Sequence, residues 1–138
     1  MVGVVLVSHS ARLAEGLAEL VASVQPDLPV RAAGGTSDGR LGTSADRIHQ
    51  AIVDVYSPEG VLILLDLGSA IMSTEIALEW LSDDQRARVL MSDAPLVEGA
   101  VLVATNAALG FTLEELAASA QEARQFPKDV GSEAPARV

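Results

Sequence analysis

The feature that most constrains the fold is Val61–Leu65, an unbroken run of Val, Leu and Ile residues. With no polar residue on either face, the run predicts a strand that is covered on both sides of a sheet. Val4–Val7 is similar, and shorter strands are predicted at Val30–Ala33 and Arg88–Met91. Helical patterns separate these strands. The alternation predicts an α/β fold: an open, doubly wound, mainly parallel sheet of about four strands, with helices on both faces.

Apolar residues at helical spacing predict the helices that follow the strands. The first runs from Ala11 to about Val24, and a second begins after Thr43–Ser44, a typical N-cap pair. The last runs from Leu113 to about Arg124, where Thr112 and Glu115 form a capping box. The remaining two helices are marked by an apolar set (Ile71, Met72, Ile76, Ala77, Trp80 and Leu81) and by Pro95 in the first turn with Gly110 at the end.

Composition limits the classes of function. The chain has 138 residues and a net charge of -10, which favours one domain that binds neither nucleic acid nor an anionic membrane. It has no cysteine, which excludes a disulfide scaffold, a thiolate zinc site and a cysteine nucleophile. No signal peptide or membrane span is recognisable, so we expect a cytoplasmic protein. We expect one domain over residues 1–126 and a disordered tail over 127–138.

His9 is the first candidate functional residue. It lies between the strand Val4–Val7 and the helix that begins at Ala11, and therefore at the carboxyl end of a strand, where open sheets bind ligands. The helix N-terminus at the same place favours a phosphate group. A residue in this position can serve as a nucleophile or phosphate carrier. The alternative is a polar loop histidine with no chemical role.

Asp66 is the second candidate, because it ends the strand Val61–Leu65. If this strand lies beside Val4–Val7, the Asp66 carboxylate falls next to His9. A carboxylate bonded to one imidazole nitrogen fixes the tautomer and leaves the other nitrogen free to attack. The alternative is that Asp66 is only a helix cap or turn residue.

Small and hydroxyl residues surround these two. Gly68 and Ser69 allow backbone N–H groups to approach an anion, and Thr36 and Thr43 supply hydroxyls from nearby loops. Turn or cap chemistry is the alternative for all four. With Ser10, they form the predicted phosphate-binding set.

Other motifs are missing or weak. The chain has no Walker A motif, G-x-G-x-x-G fingerprint or G-x-S-x-G elbow, so we expect it to bind no nucleotide and no other cofactor by itself. We also expect no metal site. His49 lies on the second predicted helix and is interpreted as a surface or boundary residue.

The segments VVLVSHSARLAEG, LLDLGSA and APLVEGA together resemble the phosphotransferase subunits of bacterial dihydroxyacetone kinases, within the mannose-type enzyme IIA family. The resemblance runs from Met1 to about Ala123. It implies that His9 is the phosphorylated residue, that Asp66 orients it, and that Gly68–Ala70 is the small-residue loop.

The resemblance also implies the partners. Phospho-HPr would donate the phosphoryl group, and ADP held in the nucleotide-binding (L) subunit of the kinase would accept it, so that ADP/ATP resides on the partner. Family members are homodimers. Some carry HPr-like and enzyme I-like domains after this one, which we expect on separate proteins here. Two alternatives remain: an enzyme IIA domain of a mannose-type sugar transport system, and a non-catalytic α/β regulatory or ligand-binding module.

A carrier has to expose its phosphohistidine to two different proteins, which predicts a shallow site with an apolar rim. Leu13, Leu41 and Leu67 flank the proposed site. Leu13 fits the core-facing pattern of its helix equally well. Leu41 and Leu67 lie in loops, with no periodic reason to be apolar, and are the predicted partner-docking residues.

Overall fold

The computed structural model describes residues 1–131. Strands and helices alternate along the chain as the sequence predicts. The strands are β1 (Gly3–Ser8), β2 (Val30–Gly34), β3 (Val61–Leu65) and β4 (Val89–Ser92). The helices are α1 (Ala11–Val24), α2 (Ala45–Val55), α3 (Ile71–Glu79), α4 (Asp83–Arg86), α5 (Leu96–Ala107) and α6 (Leu113–Gln121), with short 3-10 turns at Gly68–Ala70 and Glu122–Gln125.

The four strands form one sheet in the order β2-β1-β3-β4. All pairs are parallel, so every strand ends at the same edge of the sheet. In register, Val7 of β1 lies opposite Ala33 of β2 and Leu65 of β3. The chain places β2 on one side of β1 and then crosses to the other side for β3. The crevice between β1 and β3 is therefore the topological switch point, where sheets of this type bind ligands.

Two apolar layers sandwich the sheet, because alternate strand residues point to opposite faces. On one face, Leu6 and Leu64 pack in a cluster with α1, α5 and α6. On the other, Val7 and Ile63 pack with α2 and α3. Aliphatic residues and alanine fill both layers, which matches the small aromatic content of the chain.

The observed starts of α1, α2 and α6 lie close to the predicted ones because capping residues mark them. Ser10 and Ser44 cap α1 and α2 by accepting a backbone N–H at the third helical residue, and the Thr112–Glu115 capping box is present. Pro95 differs: it occupies the N-cap position of α5 rather than its first turn. The last helix also differs, because α6 ends at Gln121 and continues only as a 3-10 turn.

Helix α3 departs most from expectation. Of its predicted apolar set, Ala77 is buried, but Met72, Ile76 and Trp80 are exposed. Apolar residues are spread around the helix among polar ones, so the pattern could not tell which face is covered. The short helix α4 was not predicted; a capping box at Ser82 starts it.

The end of the chain is described only in part. Residues 127–131 form no helix or strand, and the rest of the predicted disordered tail, 132–138, lies outside the described residues. Within residues 1–131, no helix has the length and apolar character needed to cross a bilayer.

Candidate active site

The switch point brings His9 and Asp66 together. His9 follows β1 directly, Asp66 follows β3 directly, and the two strands are hydrogen-bonded neighbours. The Asp66 N–H donates to the carbonyl of Val7, which extends the β1–β3 ladder by one residue. The predicted pairing of these residues at a shared sheet edge is therefore observed.

Asp66 holds His9 by both the ring and the backbone. Its Oδ1 lies 3.0 Å from His9 Nδ1, and its Oδ2 accepts the His9 backbone N–H at 2.9 Å. The side chain of Asp66 is 13% exposed, whereas that of His9 is 27% exposed. An acceptor at Nδ1 favours the tautomer with the proton on that nitrogen. The lone pair then lies on Nε2, the ring nitrogen that does not face Asp66.

Asp66 is held as a carboxylate. Besides the two bonds from His9, it accepts the Ser8 hydroxyl at 3.0 Å and the Leu67 N–H at 2.7 Å. Partial burial pushes the pKa of Asp66 upward, but these hydrogen bonds outweigh burial and hold the pKa below its ordinary value. Both oxygens are thus acceptors, so the proton in the His9–Asp66 contact belongs on the ring.

Ser69 lies at the other ring nitrogen. Its Oγ is 2.9 Å from His9 Nε2, and the Nδ1–H tautomer makes the hydroxyl the donor. Ser69 belongs to the 3-10 turn Gly68–Ala70 that leads into α3. Within the described part of the chain, the backbone N–H groups of Gly68 and Ser69 donate to no protein acceptor. The Ser69 hydroxyl at Nε2, with two free N–H groups in the same short turn, suits an anion that arrives there.

Within residues 1–131, the other members of the predicted phosphate-binding set make no hydrogen bond to the His9 ring. The Ser10 hydroxyl accepts the Leu13 N–H as the cap of α1. Thr36 Oγ1 bonds to Asp38 and Arg40 within its own loop. Thr43 Oγ1 lies 2.7 Å from Ser73 Oγ. Their role toward a phosphate stays a prediction.

The loops around His9 are apolar at their tips. Leu41 is 80% exposed and Leu67 is 60% exposed. The neighbour of Leu41, Gly42, donates its N–H to the His9 carbonyl at 2.8 Å, and Leu67 directly follows Asp66. Met72 is also exposed, one helical turn after Ser69. Leu13 is exposed as well and does not face the core. These four exposed side chains, on segments next to His9 and Asp66, are called the apolar rim.

His49 lies apart from this site. It is half-buried on α2, where its ring meets Trp80 edge-on at 5.8 Å between centroids, in line with the interpretation as a boundary residue. Across residues 1–131, no cluster of three or more His, Asp or Glu side chains has the arrangement of a metal site.

Sequence reasoning missed one member of the site and part of the role of another. The Ser8 hydroxyl bonds to Asp66, but the sequence pattern singled out only its neighbour His9 as a candidate. Ser69 was selected for its backbone, but its hydroxyl also contacts the ring. The signal available for Ser8 was a lone polar residue at the end of an apolar strand.

Comparison with known proteins places the chain in a family. Residues 3–117 match the family model EIIA-man, which is described as the PTS system fructose IIA component. The match begins with β1 and ends within α6, and it therefore includes His9, Asp66 and Ser69.

Several curated proteins are similar over most of the chain. A Listeria innocua protein, the phosphoryl donor subunit DhaM of PEP-dependent dihydroxyacetone kinase 2, is 43% identical over 77% of this chain and 86% of its own. DhaM of Providencia stuartii is 37% identical over 91% of this chain, and DhaM of Escherichia coli is 35% identical over 94%. The matched part is only 27% and 28% of those two longer proteins.

The fold also has a close match among solved structures. The crystal structure of EF1359, described as a protein of unknown function, superposes with a TM-score of 0.78 at 36% sequence identity. The match covers 88% of this chain and 95% of EF1359.

Proposed function

Because the chain belongs to the EIIA-man family, we propose that it is a phosphohistidine carrier that supports dihydroxyacetone phosphorylation. The observation that carries the proposal is the contact geometry of His9, with Asp66 at Nδ1 and the Ser69 hydroxyl at Nε2. An imidazole held by a carboxylate at one nitrogen and contacted by a small hydroxyl at the other suits a group that accepts and releases a phosphoryl group.

Two transfers make up the proposed cycle. In the first, the Nε2 lone pair of His9 forms a bond to phosphorus while the N–P bond of phospho-HPr breaks, and the leaving imidazole keeps the electron pair. In the second, an oxygen of the ADP β-phosphate attacks phosphorus and the bond to Nε2 breaks. The His9 ring keeps its proton at Nδ1 throughout, so no general base is needed.

The groups around His9 would stabilise the positive charge on the ring and the negative charge on the phosphoryl oxygens during transfer. The ring becomes cationic when Nε2 is bonded to phosphorus, and the Asp66 carboxylate lies against it at 3.0 Å. The incoming phosphoryl oxygens are anionic, and the Ser69 hydroxyl with the free N–H groups of Gly68 and Ser69 supplies donors. The chain is strongly acidic overall, which makes these local donors important for a dianionic group.

The partners follow from the relatives and from the shape of the site. The relatives are phosphoryl donor subunits of dihydroxyacetone kinases, which supports the nucleotide-binding subunit of the kinase, with its ADP, as acceptor. The exposed rim of Leu41, Leu67 and Met72 supports transient docking rather than an enclosed reaction. We further propose that the protein works in the cytoplasm as a homodimer.

One finding favours a second candidate. The family model is described as a fructose IIA component of the PTS, so a sugar transport partner is the alternative acceptor. The chemistry at His9 would be the same, and only the protein that takes the phosphoryl group from Nε2 would differ.

Radiolabelled phosphoenolpyruvate with enzyme I and HPr tests the proposal. We expect acid-labile label on the chain, which then passes to ADP on the kinase nucleotide-binding subunit when that subunit is added. Transfer to a mannose-type permease domain instead would support the second candidate. A chain that takes up no label would be a non-catalytic module, and the proposal would be wrong.

A further inference from the structure

Ser8 links Asp66 to the start of α1. It is the last residue of β1 and is fully buried, at 0% exposure. Its Oγ lies 3.0 Å from Asp66 Oδ2 and 3.0 Å from the backbone nitrogen of Ser10. The two proposed phosphoryl transfers do not involve the Ser8 hydroxyl directly.

The neighbours of the Ser8 hydroxyl fix where its proton points. The Ser10 N–H can only donate, so Ser8 Oγ accepts that bond. The single hydroxyl proton is then donated to Asp66 Oδ2, which as part of a carboxylate can only accept. The backbone N–H of Ser10, the N-cap of α1, thus orients the Ser8 hydroxyl, and the hydroxyl in turn orients the Asp66 carboxylate.

This bond bears on which nitrogen of His9 is the nucleophile. Oδ2 of Asp66 accepts the Ser8 hydroxyl and the His9 N–H, while Oδ1 accepts the Leu67 N–H and faces Nδ1. Two backbone N–H groups still hold the carboxylate when the Ser8 donor is lost. Oδ2 then has one donor fewer, so the carboxylate turns or takes up a proton more easily, and the ring can populate its other tautomer. The other tautomer carries its lone pair on Nδ1 and a proton on Nε2.

We propose that Ser8 is a positioning residue that selects Nε2 of His9 as the phosphoryl acceptor by holding Asp66 in its present orientation. The selection of Nε2 as phosphoryl acceptor rests on the proposed carrier function. The tautomer preference of the unphosphorylated ring does not, and it is measured separately.

Ser92 provides a matched control. It ends β4 as Ser8 ends β1, is also buried, and its Oγ accepts the N–H of the residue two positions later, Ala94, at 3.2 Å. Its other neighbour is Gln121, not a carboxylate of the site. Ser92→Ala therefore removes a similar strand-end hydrogen bond without touching Asp66.

The test compares Ser8→Ala, Ser8→Thr and Ser92→Ala. In ¹⁵N NMR of the unphosphorylated protein, Ser8→Ala should increase the share of the His9 tautomer protonated at Nε2, and Ser92→Ala should leave it as in wild type. Phosphoryl uptake from phospho-HPr should slow by about tenfold or more in Ser8→Ala, the effect of losing a hydrogen bond to a charged group. Ser8→Thr keeps the hydroxyl and should recover most of the rate.

Several outcomes would overturn the proposal. One is a wild-type tautomer ratio in Ser8→Ala, and another is a slowing in Ser92→Ala equal to that in Ser8→Ala, which would indicate a structural effect alone. If Ser8→Ala does not fold, Ser8→Cys, a weaker donor of similar size, should show a partial tautomer shift. A wild-type ratio there would contradict the proposal equally. Wild-type protein that takes no phosphate would refute the carrier function while the tautomer result still stands.

Discussion

Asp66 binds both the backbone and the ring of His9: its Oδ2 accepts the His9 backbone N–H at 2.9 Å, and its Oδ1 lies 3.0 Å from the ring nitrogen Nδ1. The two residues are far apart in the chain and meet only because β1 and β3 are neighbours. The backbone bond, together with the bonds from Ser8 and Leu67, fixes the carboxylate relative to the strand end, and this places Oδ1 against the ring.

Asp66→Asn should slow phosphoryl transfer while the domain stays folded. The amide is similar in shape but has no charge, and its NH₂ group can face Nδ1 and favour the wrong tautomer. We expect a loss on the order of 10²-fold or more in transfer rate, by analogy with orienting carboxylates elsewhere. Rapid-quench measurement of transfer in both directions checks this. An unchanged rate would show that Asp66 is only a cap.

The stability contributed by Asp66 should depend on pH. Its pKa is lower in the folded protein than its ordinary value because the hydrogen bonds outweigh burial. Between the folded and the unfolded pKa of Asp66, the unfolded chain therefore binds more protons than the folded protein. The contribution of Asp66 to stability is complete above about pH 5 and is lost as the pH falls through the folded pKa. The difference in unfolding free energy between wild type and Asp66→Asn should decrease as the pH falls below about 4.

Urea denaturation at a series of pH values measures this difference. Asp27→Asn is the control, because Asp27 is exposed and its carboxylate accepts no hydrogen bond within residues 1–131. A wild-type to Asp66→Asn difference that grows toward low pH would contradict the assignment of Asp66 as a stabilised carboxylate.

His9 should be the sole phosphorylation site. It is partly exposed at the sheet edge, whereas His49 packs against Trp80 on α2. His9→Ala should take up no acid-labile phosphate from phospho-HPr, and His49→Ala should label like wild type. Label retained in His9→Ala would place the site elsewhere.

The sequence identified the strands and most helix starts because those signals are local. An apolar run such as Val61–Leu65 needs no tertiary information to predict a covered strand, and Ser44 needs only its own helix to act as a cap. The order of strands is not local. The pairing of His9 with Asp66 was predicted only on the condition that β1 and β3 were neighbours, which the structure supplies.

Side-chain hydrogen bonds between distant segments could not be predicted from the sequence for the same reason. Ser8 meets Asp66 and Ser69 meets His9 across the β1–β3 crevice, and no spacing in the chain encodes either contact. The exposure of Met72 and Trp80 was not predicted for a different reason. Apolar residues are spread around α3 among polar ones, and periodicity indicates a buried face only when the opposite face is polar.

Ser69→Ala should slow transfer without altering the fold. The Ser69 hydroxyl contacts Nε2 and is placed to donate to an arriving phosphoryl oxygen. Loss of one donor to a charged group should cost about tenfold in rate. Ser23→Ala is a suitable control, since among residues 1–131 the Ser23 hydroxyl bonds only to a carbonyl near the far end of α1. Equal rates in wild type and Ser69→Ala would remove Ser69 from the site.

Leu41→Asp and Leu67→Asp should each weaken docking of the partner proteins. Both side chains are exposed beside His9, so replacing them removes apolar contact area and places a charge in the interface without opening the core. We expect the transfer rate at limiting partner concentration to fall by about tenfold, the size of a moderate interface hot spot. The unfolding free energy should change by less than about 0.5 kcal/mol, as is usual for exposed positions.

Leu109→Asp is the matched control for the docking surface. Leu109 is similarly exposed, but it follows the end of α5, and α5 begins at the carboxyl edge of the sheet and runs back toward the opposite edge. The same change of chemistry there should leave transfer from phospho-HPr and to the kinase subunit at wild-type rates. If Leu109→Asp slows transfer as much as Leu41→Asp and Leu67→Asp, the added charge acts on the whole protein. If neither rim variant slows transfer, the partners dock on another surface.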